Sequence, residues 1–280
     1  MGRVVLLTGG GRGLGRVQAL ALAQAGHTLL LTSRSEDTLQ ATVAECRALG
    51  AEADYVLADL AEAGEAERLA DHALQKHGRI DVLLNNAGMG INEVSKDYLI
   101  NPYRFWRSDR AVIERYFAVN VIAPMILSIA LVAPMKAQGW GRIVSDTTSL
   151  DTMLRTSLYG GSKSALEAEM AIMANDLVGT GVTANVLVPG GGCGSRMTDD
   201  MGLPRSAVLA PEIMGPPMVF LASDEADAIT GRRIQARLWD ADLAPMDAYK
   251  AASDVIAWTG HGIQGQQPAM TSLSAPARYQ

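Results

Sequence analysis

The sequence predicts an α/β fold: a doubly wound parallel sheet with helices on both faces, in a single domain. Two observations carry this. Short apolar, β-branched runs alternate with helical patterns along most of the chain, and a glycine-rich turn joins the first run to the first helical pattern. The length of 280 residues agrees, since it suits one large α/β domain with short additions.

Runs at Val4 to Leu7, Thr28 to Thr32, Tyr55 to Leu57, Val82 to Leu84, Ile143 to Val144 and Thr183 to Val188 read as buried parallel strands. Between them, Arg16 to Gln24, Glu36 to Leu49, Glu65 to Lys76 and Arg110 to Gln138 read as helices. The apolar stretch Val121 to Val132 is broken by Pro124 and Ser128 and falls short of the roughly 20 residues of a bilayer span, so a buried helix is expected. Met1 leads directly into Val4 to Leu7, which reads as a first strand rather than a leader. Residues 1–240 are expected to form the dinucleotide-binding and catalytic domain. Residues 241–280, where periodicity fades, are expected to form a C-terminal extension that can reach a subunit interface.

Composition narrows the function. A net charge of -6 provides no basic field for nucleic acid or for an anionic membrane surface, so neither is expected as a partner. The two cysteines, Cys46 and Cys193, lack the spacing of a zinc or redox site and suit a reducing cytoplasmic setting. Four scattered histidines, His27, His72, His77 and His261, offer no metal site.

The segment Thr8-Gly9-Gly10-Gly11-Arg12-Gly13-Leu14-Gly15 sits where helix N-terminal amides can hold a pyrophosphate, which makes the fold Rossmann-type. Its spacing is not GxGxxG, and Arg16-Val17 lacks the Lys and Ser/Thr of a P-loop. After the second strand, Ser33-Arg34 stands where a carboxylate would hold the ribose 2'-hydroxyl of NAD. Arg34 with Arg12 can instead clamp a 2'-phosphate, so NADP(H) is preferred over NAD(H). A solvated surface arginine is the plainer alternative.

The chain resembles the short-chain dehydrogenase/reductase family from about Val4 to Trp239. The likeness rests on several motifs in order: Thr8 to Gly15, Asp59-Leu60, Asn85-Asn86-Ala87-Gly88, Asn120, Tyr159-Gly-Gly-Ser-Lys163 and Pro189-Gly190. Tyr159 and Lys163 lie at i and i+4 on one helix face, where a cation favours tyrosinate and makes the phenol a usable acid and base. The resemblance implies that Lys163 also holds the nicotinamide ribose and that Asn120 supports a relay water. It places Asp59 and Leu60 beside the adenine, Asn86 to Gly88 against the cofactor, and Pro189, Gly190 and Ser195 at the nicotinamide.

Two departures stand out. Where the family carries a catalytic serine, Gly141-Arg-Ile-Val-Ser-Asp-Thr-Thr-Ser149 places Thr148, with Ser149 the second choice, and the interval to Tyr159 is short. After Pro189-Gly190, the run Gly-Gly-Cys-Gly-Ser195 replaces a bulkier sequence. Apolar residues after strand ends, Tyr98, Tyr103, Phe105, Trp106, Leu150, Met153, Leu154 and Met197, are candidates for a substrate pocket, and Ser149, Leu150, Met153 and Met197 are the substrate-contacting set. The expected activity is interconversion of a ketone, aldehyde or imine with its alcohol or amine. The alternatives are an inactive dinucleotide-binding regulator and a same-fold lyase or epimerase. The resemblance further implies a homodimer or homotetramer formed through Arg110 to Gln138 and Tyr159 to Val178.

Overall fold

In the computed structural model, which describes residues 2–98 and 101–258, eight strands form one sheet in the order β3-β2-β1-β4-β5-β6-β7-β8. They are β1 (Val4–Thr8), β2 (Thr28–Ser33), β3 (Ala53–Leu57), β4 (Val82–Asn85), β5 (Gly141–Asp146), β6 (Val182–Val188), β7 (Arg232–Gln235) and β8 (Ser253–Val255). β1 to β7 pair in parallel, whereas β8 returns antiparallel along β7. The six expected strands are all present, each with its ends shifted by up to two residues.

β7 and β8 correct the sequence reading, which had neither. β7 reads Arg-Arg-Ile-Gln and carries no apolar run, because its Arg233 charge is neutralised inside the fold. β8 lies within the segment read as a C-terminal extension, together with a helix over Pro245–Ala252, and it closes the sheet edge. Residues 259–280, most of that segment, lie outside the described residues, as does His261.

The helices are α1 (Gly13–Gln24), α2 (Glu36–Ala48), α3 (Glu65–His77), α4 (Arg110–Phe117), α5 (Ala123–Ala137), α6 (Leu150–Arg155), α7 (Tyr159–Asp176), α8 (Arg196–Asp200), α9 (Gly215–Leu221) and α10 (Pro245–Ala252). Alternate residues of each strand face opposite layers. Val5, Leu7, Leu29 and Leu31 pack with α1, α2 and α9, while Leu6, Leu30 and Leu83 pack with α3, α5 and α7. These leucines and valines are fully buried, and each contributes roughly 1.5–3 kcal/mol.

The long helix expected over Arg110 to Gln138 is present as one helix from Arg110 to Ala137, with a π-turn inside it. That turn, over Ala118–Ile122, joins α4 to α5, and Asn120 sits in it. Ala123, Leu127 and Leu131 beyond it are buried against α3 and the sheet, while Ile122 and Ile129 face outward. The aromatics expected to line a pocket divide differently: Phe105 and Trp106 are 73% and 69% exposed, stacked edge to face on each other, and Leu154 is 88% exposed. The chain after β4 turns Phe105 and Trp106 outward, and Leu154 lies on the exposed side of α6, so none of the three lines the cleft.

Candidate active site

The carboxyl ends of β1, β2, β4 and β5 stand level, with Thr8 paired to Thr32 and Asn85 and Asn85 paired to Ser145. The strand order reverses between β1 and β4, so the crevice opens above them. A cleft of about 470 Å³ occupies it.

One wall is the glycine turn. Gly9 (φ 70°) and Gly13 (φ 55°) adopt the left-handed conformation that a side chain would strain. A Cβ on Gly15 would lie 2.3 Å from the Gly9 carbonyl oxygen and 2.5 Å from Asn86 Nδ2, so only glycine lets α1 start this close to the turn. Asn86 is a brace here: its Nδ2 donates to the Thr8 and Gly9 carbonyls at 2.8 and 3.1 Å, and the Asn86 and Ala87 amides donate to Thr8 Oγ1.

No side chain caps the N-terminus of α1, and Gly13 has open space where its side chain would be, the nearest atom being Ser195 Cβ at 3.8 Å. The free amides of that helix start therefore open on the cleft, as a pyrophosphate requires. Arg12 and Arg34 line the same end, with Arg196 of α8 nearby. Burial, and then the adjacent Arg196 and Arg34 cations, lower the Arg12 pKa, as in a pocket built to receive negative charge. Arg34 also pairs with Asp59 at 3.7 Å, and Asp59 receives Arg115 at 3.3 Å. Leu14, Ser33, Leu60, Ala87, Gly88, Ser195 and Met197 complete this lining. These residues fit a dinucleotide cofactor.

The opposite end holds the reactive groups. Tyr159 opens α7, and Lys163 follows one turn later, both buried and both on the cleft. The short interval from Thr148 is taken up by α6 and by a γ-turn at Leu158 (φ 61°, ψ -60°), in which the Tyr159 amide donates to the Ser157 carbonyl at 2.7 Å. A non-glycine residue there is strained, and the strain sits directly before the phenol.

The Thr148 side chain acts on the Tyr159 phenol, pulling its pKa down against the rise from burial. Ser149, the second choice for that place, is instead the N-cap of α6, accepting from the Thr152 amide at 3.1 Å. Thr148 and Ser149 are side by side in sequence, but only Ser149 is taken up by a helix end. Lys163 Nζ donates to the Asp146 backbone carbonyl at 2.7 Å. Asn120 Oδ1 accepts from the Met89 amide at 2.7 Å, and its Nδ2 donates to Ser162 Oγ at 2.9 Å, so the π-turn is tied both to the β4 loop and to α7.

Electrostatics here depart from the sequence expectation. A lowered phenol pKa was expected from Lys163, but burial raises it, with the Thr148 side chain pulling the other way. Lys163 is itself lowered to about 8 by burial, opposed by the Asp146 charge. The sequence reading did not single out Asp146. It is raised to about 7 by burial, against the Gln18 hydrogen bond and Lys163, with Gln18 Nε2 donating to its Oδ2 at 2.7 Å. No spacing or composition signal marked it, because Gln18 comes from a helix 128 residues away.

Other expected residues lie off the cleft lining. Met153 is buried under α6, Leu150 is half-buried in its first turn, and Pro189 and Gly190 form the turn after β6, where the Arg237 amide donates to the Pro189 carbonyl at 3.0 Å. Gly190 is left-handed (φ 87°). Cys46 and Cys193 are free and buried, and burial raises both thiols to about 11. Among the described residues no group of histidine, cysteine and carboxylate side chains could hold a metal ion.

A glycine turn whose helix amides open on the cleft, facing a buried Tyr159-Lys163 pair, defines the site of a dinucleotide-dependent oxidoreductase. The short chain dehydrogenase family model matches residues 3–203, well over half of the chain, which therefore belongs to that family. It is similar to the ketoacyl reductase HetN of Nostoc sp., at 34% identity over 76% of this chain and 70% of that one. It is also similar to the 3-oxoacyl-[acyl-carrier-protein] reductase of Synechocystis sp., at 32% identity over 82% and 93%. Among solved structures, a metagenomic short-chain oxidoreductase in complex with NADP superposes with a TM-score of 0.69 at 26% identity, covering 83% of this chain and 95% of that one.

Proposed function

We propose that the chain is an NADP(H)-dependent oxidoreductase that interconverts a ketone or aldehyde with its alcohol, or an imine with its amine, with Tyr159 as general acid and base. The observation that carries this reading is a buried Tyr159 one helical turn from a buried Lys163, both on the cleft whose other end holds the glycine turn, Arg12 and Arg34.

Gly9, Gly13 and Leu14 would hold the pyrophosphate on the α1 amides, Arg12, Ser33 and Arg34 the 2'-phosphate, and Asp59 and Leu60 the adenine. Asn86 to Gly88, Lys163, Pro189, Gly190 and Ser195 would hold the nicotinamide half. When bound, the reduced nicotinamide supplies hydride to the substrate carbon. Tyr159 gives its proton to the carbonyl oxygen, and Thr148 donates a second hydrogen bond there. Lys163, one turn along the same helix, brings an ammonium to the cleft beside the phenol, while Thr148 opposes the burial that raises the phenol pKa. Asn120 fixes the π-turn and the start of α7 around these groups.

Apolar Ile91, Tyr116, Met89, Leu158 and Met197 pack around Tyr159, which suits an apolar or aromatic carbonyl substrate. The names of the two reductase relatives agree with a ketone as that substrate. Exposed Ile122 in the π-turn, Ile129 on α5, Ile172 on α7 and Val178 just past it suit a homodimer or homotetramer, which light scattering would test against a monomer of 29.7 kDa.

The decisive experiment is NADPH oxidation with a carbonyl panel by the parent protein and Tyr159→Phe. The expected result is a loss of turnover of about 10²–10⁴-fold with NADPH binding kept. Turnover unchanged in Tyr159→Phe would overturn the proton-donor role, and tight NADPH binding with no turnover on any substrate would favour the inactive-binder alternative.

A further inference from the structure

Tyr159, Lys163 and Glu167 occupy three successive turns of one face of α7. The first two face the cleft. Glu167 is completely buried, and three donors converge on its carboxylate: Arg233 Nη1 from β7, Thr147 Oγ1 at 2.8 Å, and the Ala257 amide at 3.1 Å. The other arm of the same guanidinium, Arg233 Nη2, donates to the Thr148 carbonyl. Arg233 is itself only 5% exposed.

A buried ion pair is poor evidence of stabilisation, since two apolar side chains of similar size usually serve a core as well or better. What an apolar pair could not do is hold two consecutive residues of the β5–α6 connection at fixed points. Thr147 is gripped through its hydroxyl and Thr148 through its carbonyl, which fixes this stretch of chain beside the helix that carries both Tyr159 and Glu167, where the Thr148 side chain acts on the phenol. The grip also includes the chain just past β8, through the Ala257 amide.

We propose that the buried Glu167–Arg233 pair is a positioning device that fixes Thr147 and Thr148 beside the Tyr159 end of α7 and couples that setting to the chain after β8. This rests on the oxidoreductase reading above for its kinetic consequence, though not for its structural one. Neither residue touches substrate or cofactor in this account. Their effect on the reaction passes through Thr148, where a misplacement of about 1 Å can cost about 100-fold in rate.

The test is the double variant Glu167→Leu/Arg233→Met, which removes the ties without leaving an unpaired buried charge. Three quantities are read: kcat, the NADPH dissociation constant from cofactor fluorescence, and hydrogen exchange of the 147–152 amides. The expected result is a fall in kcat of about 10–100-fold, NADPH affinity within about threefold of the parent, and faster exchange confined to residues 147–152 and the β8 end. Should the double variant not fold, Arg233→Lys keeps a cation opposite Glu167 but has no second arm for the Thr148 carbonyl, and the same split is expected. Unchanged exchange at 147–152 in a folded variant, or kcat and NADPH affinity falling together, would overturn the proposal. If the parent itself turns over no carbonyl, the oxidoreductase reading fails and exchange alone decides the positioning role.

Discussion

Asp146→Asn should stabilise the protein at alkaline pH and hardly at all in acid. The carboxyl is buried at the end of β5, and of its two oxygens only Oδ2 has a partner, the Gln18 amide; Asp146 Oδ1 and Gln18 Oε1 are both buried without one. Burial raises the group from the ordinary aspartate range to about 7. Between the two values the folded chain holds a proton that the unfolded chain has lost, so stability falls as pH rises through that window and is fully lost above it. At about 1.36 kcal/mol for each pH unit, an ionised Asp146 costs the fold about 4 kcal/mol at pH 8. Asparagine removes that cost and fits the site, because its amide can donate to Gln18 Oε1 while its oxygen still accepts from Gln18 Nε2. Against this, Lys163 loses the negative neighbour that supports its charge. The net gain expected at pH 8 is about 2 kcal/mol, or roughly 4–8 °C in melting temperature, shrinking towards zero at pH 5. Thermal melts by circular dichroism at both pH values check this. A gain of the same size at both, or a loss at pH 8, would show that burial of the charge does not govern the site.

Three further outcomes are expected. Arg12→Ala/Arg34→Ala should weaken NADPH binding by about 10–100-fold while NADH changes by less than about threefold, measured by fluorescence titration; equal losses would argue against a 2'-phosphate clamp. Gly15→Ala, whose methyl would collide with the Gly9 carbonyl, should destabilise by about 1–3 kcal/mol, whereas Gly161→Ala, which meets nothing within 4 Å on an exposed turn of α7, should stabilise by about 0.5–1 kcal/mol in denaturant titrations. Ser149→Ala should cost about 1 kcal/mol as a lost cap with kcat within about threefold, while Thr148→Ala should lower kcat by about 10–100-fold and Thr148→Ser should restore it; the reverse ranking in steady-state assays would exchange their roles.

The glycine turn and the six apolar strands were legible in the sequence because each is local: alternation, β-branching and a run of small residues at a strand end all act within a few positions. The fifteen cleft-lining residues expected from the motifs, from Gly9 to Met197, follow from the same cause, since the parallel register brings strand ends together once the strands are known. β7 escaped notice because its arginines look like surface, and only Glu167, 66 residues earlier, makes burial of Arg233 possible. The outward aromatics Phe105 and Trp106 erred the other way, since a loop's direction has no periodicity to betray it.

By itself, then, the sequence determined the layering of the fold, the place of the phosphate turn, and the pairing of a phenol with an ammonium on one helix face, all matters of short-range pattern. Tertiary structure alone decided that Ser149 caps a helix while Thr148 acts on the phenol, that burial raises the phenol pKa, and that Asp146, Glu167 and Arg233 are buried near it. Those outcomes depend on solvent exclusion and on groups brought together from distant parts of the chain, and neither quantity exists until the sheet has closed over them.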